Sequence, residues 1–219
     1  MPIEQTQPPA NAFGSLQRFA RRTMSAERCE LCGAAVALEH EHLVEPAKRR
    51  LVCACQACAI LFSGQEGQRY KRVPSRVRFL PGFQLTDAQW DSLLVPINMA
   101  FFFKTGSPAR VAAVYPSPAG ATESLLPLET WDQIVAQNPG LESMEADVEA
   151  LLVNRLGAGR GFPMNQYFLL PIDQCFKLVG LVRTHWRGLS GGQELWRALE
   201  QYFTALTEPA GFAGERHHA

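Results

Sequence analysis

The stretch CELCGAAVALEHEHLVEPAKRRLVCACQAC, residues 29–58, holds two Cys-x-x-Cys pairs, Cys29/Cys32 and Cys55/Cys58, with a further thiol and two histidines between them. Two residues between paired thiols let one tight turn aim both sulfurs at the same ion, and two such turns complete the tetrahedron that zinc prefers. Gly33 follows the first pair, where a metal-gripping turn commonly requires positive φ. Five thiols within 30 positions are more than a buried apolar patch of cysteines explains.

Donors outnumber coordination positions. Cys29, Cys32, Cys55 and Cys58 are the expected metal ligands, because the two outer pairs have equal spacing. Cys53 is the leading substitute, placed two residues before Cys55 on the same face of a strand, and His40 and His42 lie in the insert. Zinc is the expected ion. Four thiolates also suit a single iron or an iron–sulfur cluster, so a rubredoxin-like or iron–sulfur electron carrier is an alternative reading.

The same thiols bear on compartment. Residues 1–24 lack an apolar core of signal-peptide length, and the cysteines are expected to stay reduced in the cytoplasm. No run is long and apolar enough for a bilayer: residues 97–103 are interrupted by Asn98 and closed by Lys104. With 21 basic and 21 acidic residues the formal net charge is zero, which gives no global drive toward nucleic acid or anionic lipid. Basic clusters at Arg18, Arg21 and Arg22, at 48–50 and at 69–78 are expected to be solvated or to meet acidic neighbours, with an acidic protein partner as the alternative.

A length of 219 residues with 47% hydrophobic content supports one substantial core and a small metal-held module. The expected class is α+β: a small four-cysteine zinc-ribbon or treble-clef-like module at 25–72, then a mixed α/β domain at 73–207. A flexible arm at 1–24 carries a short amphipathic helix over 11–24, with Phe13, Leu16 and Phe19 at helical spacing, and a flexible tail covers 208–219. The insert between Cys32 and Cys55 is slightly longer than a zinc ribbon normally has. It is expected to form a hairpin whose return strand covers 50–55, followed by a short apolar segment, 59–62, that buries one side of the site.

In the larger region a strand is expected at 77–80 and a helix at 85–94, capped by Thr86. Two buried strands at 97–103 and 111–115 are joined by a turn at 105–110. YPSPAGATES, 115–124, reads as a loop. Helices are expected at 128–137 and at 144–155, the second with Val148, Leu151 and Leu152 on one stripe. Asp147 and Glu149, too close in sequence to face one another on that helix, read as surface or helix-terminal charges. A flexible break at 157–161, a strand at 167–170, a helix at 172–187 begun by Pro171, with a strand at 176–182 as an equal alternative, and a final helix at 193–206 complete the chain.

Motifs for catalysis are weak. YPSPAGATES lacks the lysine of a P-loop and the glycine spacing of a dinucleotide fingerprint. GLSGG, 188–192, is out of register with a nucleophile elbow and reads as a turn with an N-cap. Cys175 in PIDQC reads as a core thiol. No residue is assigned a catalytic role.

The metal module resembles the treble-clef core of His-Asn-His nucleases, through CELCG, LEHEHLVEP and CACQAC. In that family a hairpin histidine is the general base, a role His40 or His42 would take. The family's asparagine before the second knuckle is missing, however, and Ala59 stands where its following histidine belongs. A degenerate metal-dependent nuclease or hydrolase is therefore the alternative enzyme reading.

Taken in order, CELCG, EHEHLVEP, CACQACAILF, YPSPAGATES, DVEALLVNR, PIDQC and WRGLSGG resemble a bacterial domain-of-unknown-function family often encoded beside [NiFe]-hydrogenase and maturation genes. The likeness covers about 29–206. It implies a zinc-binding accessory protein of hydrogenase maturation or assembly, whose partner is a hydrogenase subunit or another maturation factor. It supplies no catalytic residues.

Overall fold

The computed structural model describes residues 27–64, 69–106, 108–124, 126–157, 165–188 and 190–207. The expected arm helix at 11–24, most of the break at 157–161 and the tail at 208–219 lie outside the described residues. The chain is mixed α+β, with two antiparallel sheets. Among the described residues no helix is long and apolar enough to cross a membrane.

The first sheet holds β1 (Glu41–Glu45), β2 (Arg50–Ala54) and β3 (Lys71–Arg72) in the order β2-β1-β3. β1 and β2 form the expected hairpin, in register from Glu41 opposite Ala54 to Glu45 opposite Arg50. Pro46 starts the tight turn, where its missing N–H costs nothing, and Arg49 closes it in the left-handed region at φ 49°. The helix α1 (Gln56–Phe62) leaves β2 at Cys55, its N-cap. Alternation divides the hairpin. Leu43, Val52 and Ala54 are fully buried together with Cys29, Cys58 and Ala59, whereas Val44 and Leu51 pack against the second sheet.

The second sheet has six strands in the order β4-β9-β8-β5-β6-β7: β4 (Arg78–Phe79), β5 (Met99–Gly106), β6 (Ala109–Ser117), β7 (Gly120–Ser124), β8 (Glu149–Asn154) and β9 (Gln166–Pro171). Both faces are covered. On one, Phe101, Leu152, Phe168 and Leu170 meet α4 (Ile172–His185) and α5 (Gly192–Thr207). On the other, Phe102, Leu151, Val153 and Leu169 meet Trp90 of α2 (Asp87–Ser92) and Trp131 and Ile134 of α3 (Leu128–Gln137). Thr86 caps α2 with a complete capping box, its hydroxyl accepting from the Gln89 amide while the Gln89 side chain accepts from the Thr86 amide.

Three expectations are overturned here. The segment read as a helix over 144–155 is instead a turn followed by β8, with all six strand residues buried. Val148, Leu151 and Leu152 do not share a stripe: they enter three separate core clusters. A continuous apolar run is ambiguous between helix and buried strand by periodicity alone, and burial on both faces decides for the strand.

The Asp147 and Glu149 expectation fails with it. Both are buried, and each neutralises a cation, Asp147 with Lys71 and Glu149 with Arg78.

YPSPAGATES is no loop but the end of β6, a tight turn and edge strand β7, with Ser117 opposite Gly120. Gly120 adopts φ 124°, open only to glycine, and the Ser117 hydroxyl donates to its carbonyl at 3.0 Å. The Ser117 and Thr122 hydroxyls are 3.1 Å apart within the hairpin.

Val44, Val73, Val148 and Ile172, with Leu51 and Phe103 beside them, form a small core between the two sheets. Lys71 donates across the same seam to the Ala146 carbonyl at 3.2 Å. This contact sets the orientation of the hairpin, and hence of the site.

Candidate metal centre

The first Cys-x-x-Cys turn is closed by its own backbone: the Gly33 amide donates to the Cys29 carbonyl and the Cys29 amide to the Ala34 carbonyl, both at 2.8 Å. Gly33 sits at φ 76°, as the sequence requires. Glu30 then locks this turn to β2. Its amide donates to the Cys53 carbonyl at 2.9 Å, and its carboxylate accepts from the Cys53 amide at 2.8 Å. The second turn is the start of α1, where the Cys55 sulfur accepts from the Cys58 amide at 3.5 Å.

These two turns bring the sulfurs of Cys29, Cys32, Cys55 and Cys58 to within 4.8 Å of one another. The Cys32 and Cys55 sulfurs are 3.7 Å apart, close to the edge of about 3.8 Å of a tetrahedron with metal–sulfur bonds of about 2.3 Å. All four cysteines are free. Cys29 and Cys58 are buried against Leu43, Val52, Ala54 and Ala59. The donor set can hold a metal ion.

Electrostatics favour a cation there. Burial raises the Cys29 thiol, but the backbone amides of Cys55, Leu31 and Cys32 outweigh it and bring it down to about 6. Burial, and then the neighbouring sulfurs of Cys32, Cys55 and Cys29, push the Cys58 thiol up to about 12. The Cys29 thiolate forms readily, and its charge adds to the burial that opposes ionisation of Cys58. A dication removes that conflict, since thiolates and not thiols are the ligands.

Cys53, His40 and His42 are brought together separately. Their donor atoms lie within 4.8 Å of one another in a second group that contains none of the four clustered sulfurs. His42 reaches Asp173 at the start of α4, 131 residues away in sequence, its Nδ1–H donating to Oδ2 at 3.0 Å. Sequence reasoning missed Asp173, because nothing local links PIDQC to the hairpin.

α1 closes one side of the four-sulfur group with Ala59 alone. Ile60, Leu61 and Phe62, expected to bury the site, are 61%, 68% and 45% exposed. Along the helix only the face carrying Cys58 and Ala59 points inward. Several basic residues of the clusters at 48–50 and 69–78 meet acids: Arg69 and Lys48 bind Glu45, Arg72 binds Glu41, Arg50 binds Glu30 and Arg49 binds Glu123. Cys175 is a core thiol on α4, wholly buried, and burial raises it well above its ordinary range.

Residues 28–210 match the Family of unknown function (DUF5947), and the chain belongs to that family. No curated protein and no solved structure matches it.

Proposed function

We propose that this protein is a cytosolic zinc-binding accessory protein that acts by binding another protein, with Cys29, Cys32, Cys55 and Cys58 as the zinc ligands. The observation that carries this reading is the pairing of a closed site with an open surface. The four sulfurs come from two knuckles backed by a buried core, which is the donor set of a structural zinc rather than of a catalytic one with a vacant position. The helix that supplies Cys58 turns Ile60, Leu61 and Phe62 outward. Adjacent exposed apolar side chains of this size suit a protein partner.

In this reading the ion holds the module folded and so fixes α1 in the orientation that presents those side chains. Zinc is the choice among ions because a tetrahedral all-thiolate set is one of its standard structural sites. The partner class comes from the gene neighbourhood that the family resemblance implies: a [NiFe]-hydrogenase subunit or a maturation factor.

The test is affinity capture of the intact protein from a host expressing a [NiFe]-hydrogenase operon, beside a Leu61→Glu variant. Recovery of a hydrogenase component by the wild type, and its loss in the variant at unchanged zinc content, is the expected result. Capture of no hydrogenase component by either protein contradicts the assignment. Purified protein with the colour and absorbance of an iron–thiolate centre would favour the electron-carrier reading instead.

A further inference from the structure

We infer that His40, His42 and Cys53 form a second metal site, distinct from the four-thiolate group, that takes a divalent first-row transition ion and leaves one coordination position for an exchangeable ligand. Register builds it. His42 and Cys53 are directly opposed across the β1/β2 hairpin, and His40 precedes His42 by two residues, so that all three project from one face. The two imidazole rings are 4.6 Å apart, and one nitrogen of each ring lies with the Cys53 sulfur inside 4.8 Å. Leu43, Val52 and Ala54 point to the other face, toward the four-thiolate group. One hairpin thus separates two donor sets.

The hydrogen bonds fix which nitrogens remain as donors to an ion. Nδ1 of His40 faces two oxygens, the Ala37 carbonyl at 2.9 Å and a Glu27 carboxylate oxygen at 3.5 Å, so the ring proton belongs there. Its Nε2, carrying the lone pair, is buried without a hydrogen-bond partner, on a side chain only 6% exposed. A buried, partnerless polar atom requires an explanation, and a bound ion is a standard one. Nδ1 of His42 is likewise engaged by Asp173 at 3.0 Å, leaving its Nε2 as the free donor. A carboxylate on the far nitrogen of a metal-bound histidine holds the tautomer and raises the basicity of the ligand.

Two imidazoles and one thiolate are ligands of borderline softness, suited to zinc, cobalt, nickel or copper rather than magnesium or calcium. Three protein ligands leave a tetrahedral ion one position short. Cys53 is half-buried and the His42 side chain 22% exposed, so water or another small donor can reach that position. This distinguishes the second site from the first, which closes on itself.

Cobalt(II) is the probe. Metal-free full-length protein, kept reduced, is titrated while the cobalt absorption bands are followed. The wild type should bind two equivalents, one with an all-thiolate spectrum and one with weaker sulfur character. Cys53→Ser and His42→Gln should each bind one equivalent and keep the all-thiolate spectrum. Asp173→Asn, isosteric and outside the hairpin, should bind the second equivalent about 10–100-fold more weakly. It decides the matter even where the hairpin variants fail to fold. Binding of a single equivalent by the wild type, an altered all-thiolate spectrum in Cys53→Ser, or unchanged second-site affinity in Asp173→Asn would each overturn the inference. None of these outcomes depends on the identity of a protein partner.

Discussion

Lys71 and Asp147 face one another across the seam between the two sheets, Nζ to Oδ2 at 2.9 Å. Lys71 belongs to β3 of the small sheet and Asp147 precedes β8 of the large one. The other oxygen of Asp147 accepts from the Gly106 amide at 2.9 Å, and its own amide donates to the Lys104 carbonyl at 2.8 Å. A buried carboxylate therefore joins three segments, at the cost of a left-handed backbone, φ 74°, which aspartate tolerates better than most residues.

Asp147→Ala should destabilise the protein by about 1–3 kcal/mol, since it strands the Gly106 amide and leaves Lys71 without its carboxylate. Asp147→Asn, which keeps an acceptor for Gly106, should cost less. Urea unfolding of the two variants at pH 7 measures the difference, and equal losses would show that the Gly106 bond contributes nothing.

Glu45 makes stability depend on pH in the acid range. It is almost fully buried, and the Arg69 guanidinium, against the opposing effect of burial and with help from Lys48, holds its carboxyl down at about 2 from the ordinary 4.5. A carboxyl depressed in the folded state contributes stability above its unfolded value. The contribution is fully present above about pH 4.5 and is lost as pH falls through about 2. Glu45→Gln should therefore flatten the stability profile between these limits, which a series of thermal melts would reveal. A wild-type slope surviving in the variant would place its origin elsewhere.

Phe168 lies on β9, second from one edge of the large sheet, and is fully buried, with Phe79 at 5.3 Å and Phe203 at 6.2 Å between ring centroids. Phe168→Ala should cost about 3–5 kcal/mol from lost transfer energy and the remaining cavity. A denaturant midpoint within error of the wild type would contradict the packing described.

Much of this was legible in the chain, and each failure has its own physical cause. Helices with one wet face, such as α3 and α5, carry a 3.6-residue period that survives reading, and α4 starts at Pro171 as its sequence implies. β8 has no wet face, so EALLVN shows no alternation and its apolar positions fit a helix equally well. YPSPAGATES hid a strand because the residues of its tight turn dominate its composition. At the site, the paired spacing of the cysteines announces a local turn chemistry, and the four sulfurs do meet. The His42 and Asp173 contact joins segments 131 residues apart and leaves no local trace.

Removal of the ion should unfold the small module first. Among the described residues its apolar core is little more than Leu43, Val52, Ala54 and Ala59 around the two buried thiols, and binding of a structural zinc contributes on the order of 10 kcal/mol to such modules. A strong chelator should accelerate amide exchange in β1 and β2 well before β8 and β9. Simultaneous exchange throughout both sheets would mean that the two unfold as one unit.

The most direct measurement is X-ray absorption at the metal edge of the Cys53→Ser protein, which retains only the four-sulfur group. One zinc per chain surrounded by four sulfurs at about 2.3 Å is the result expected from Cys29, Cys32, Cys55 and Cys58. A shell containing nitrogen or oxygen, or protein isolated without metal and with these thiols oxidised, would contradict it.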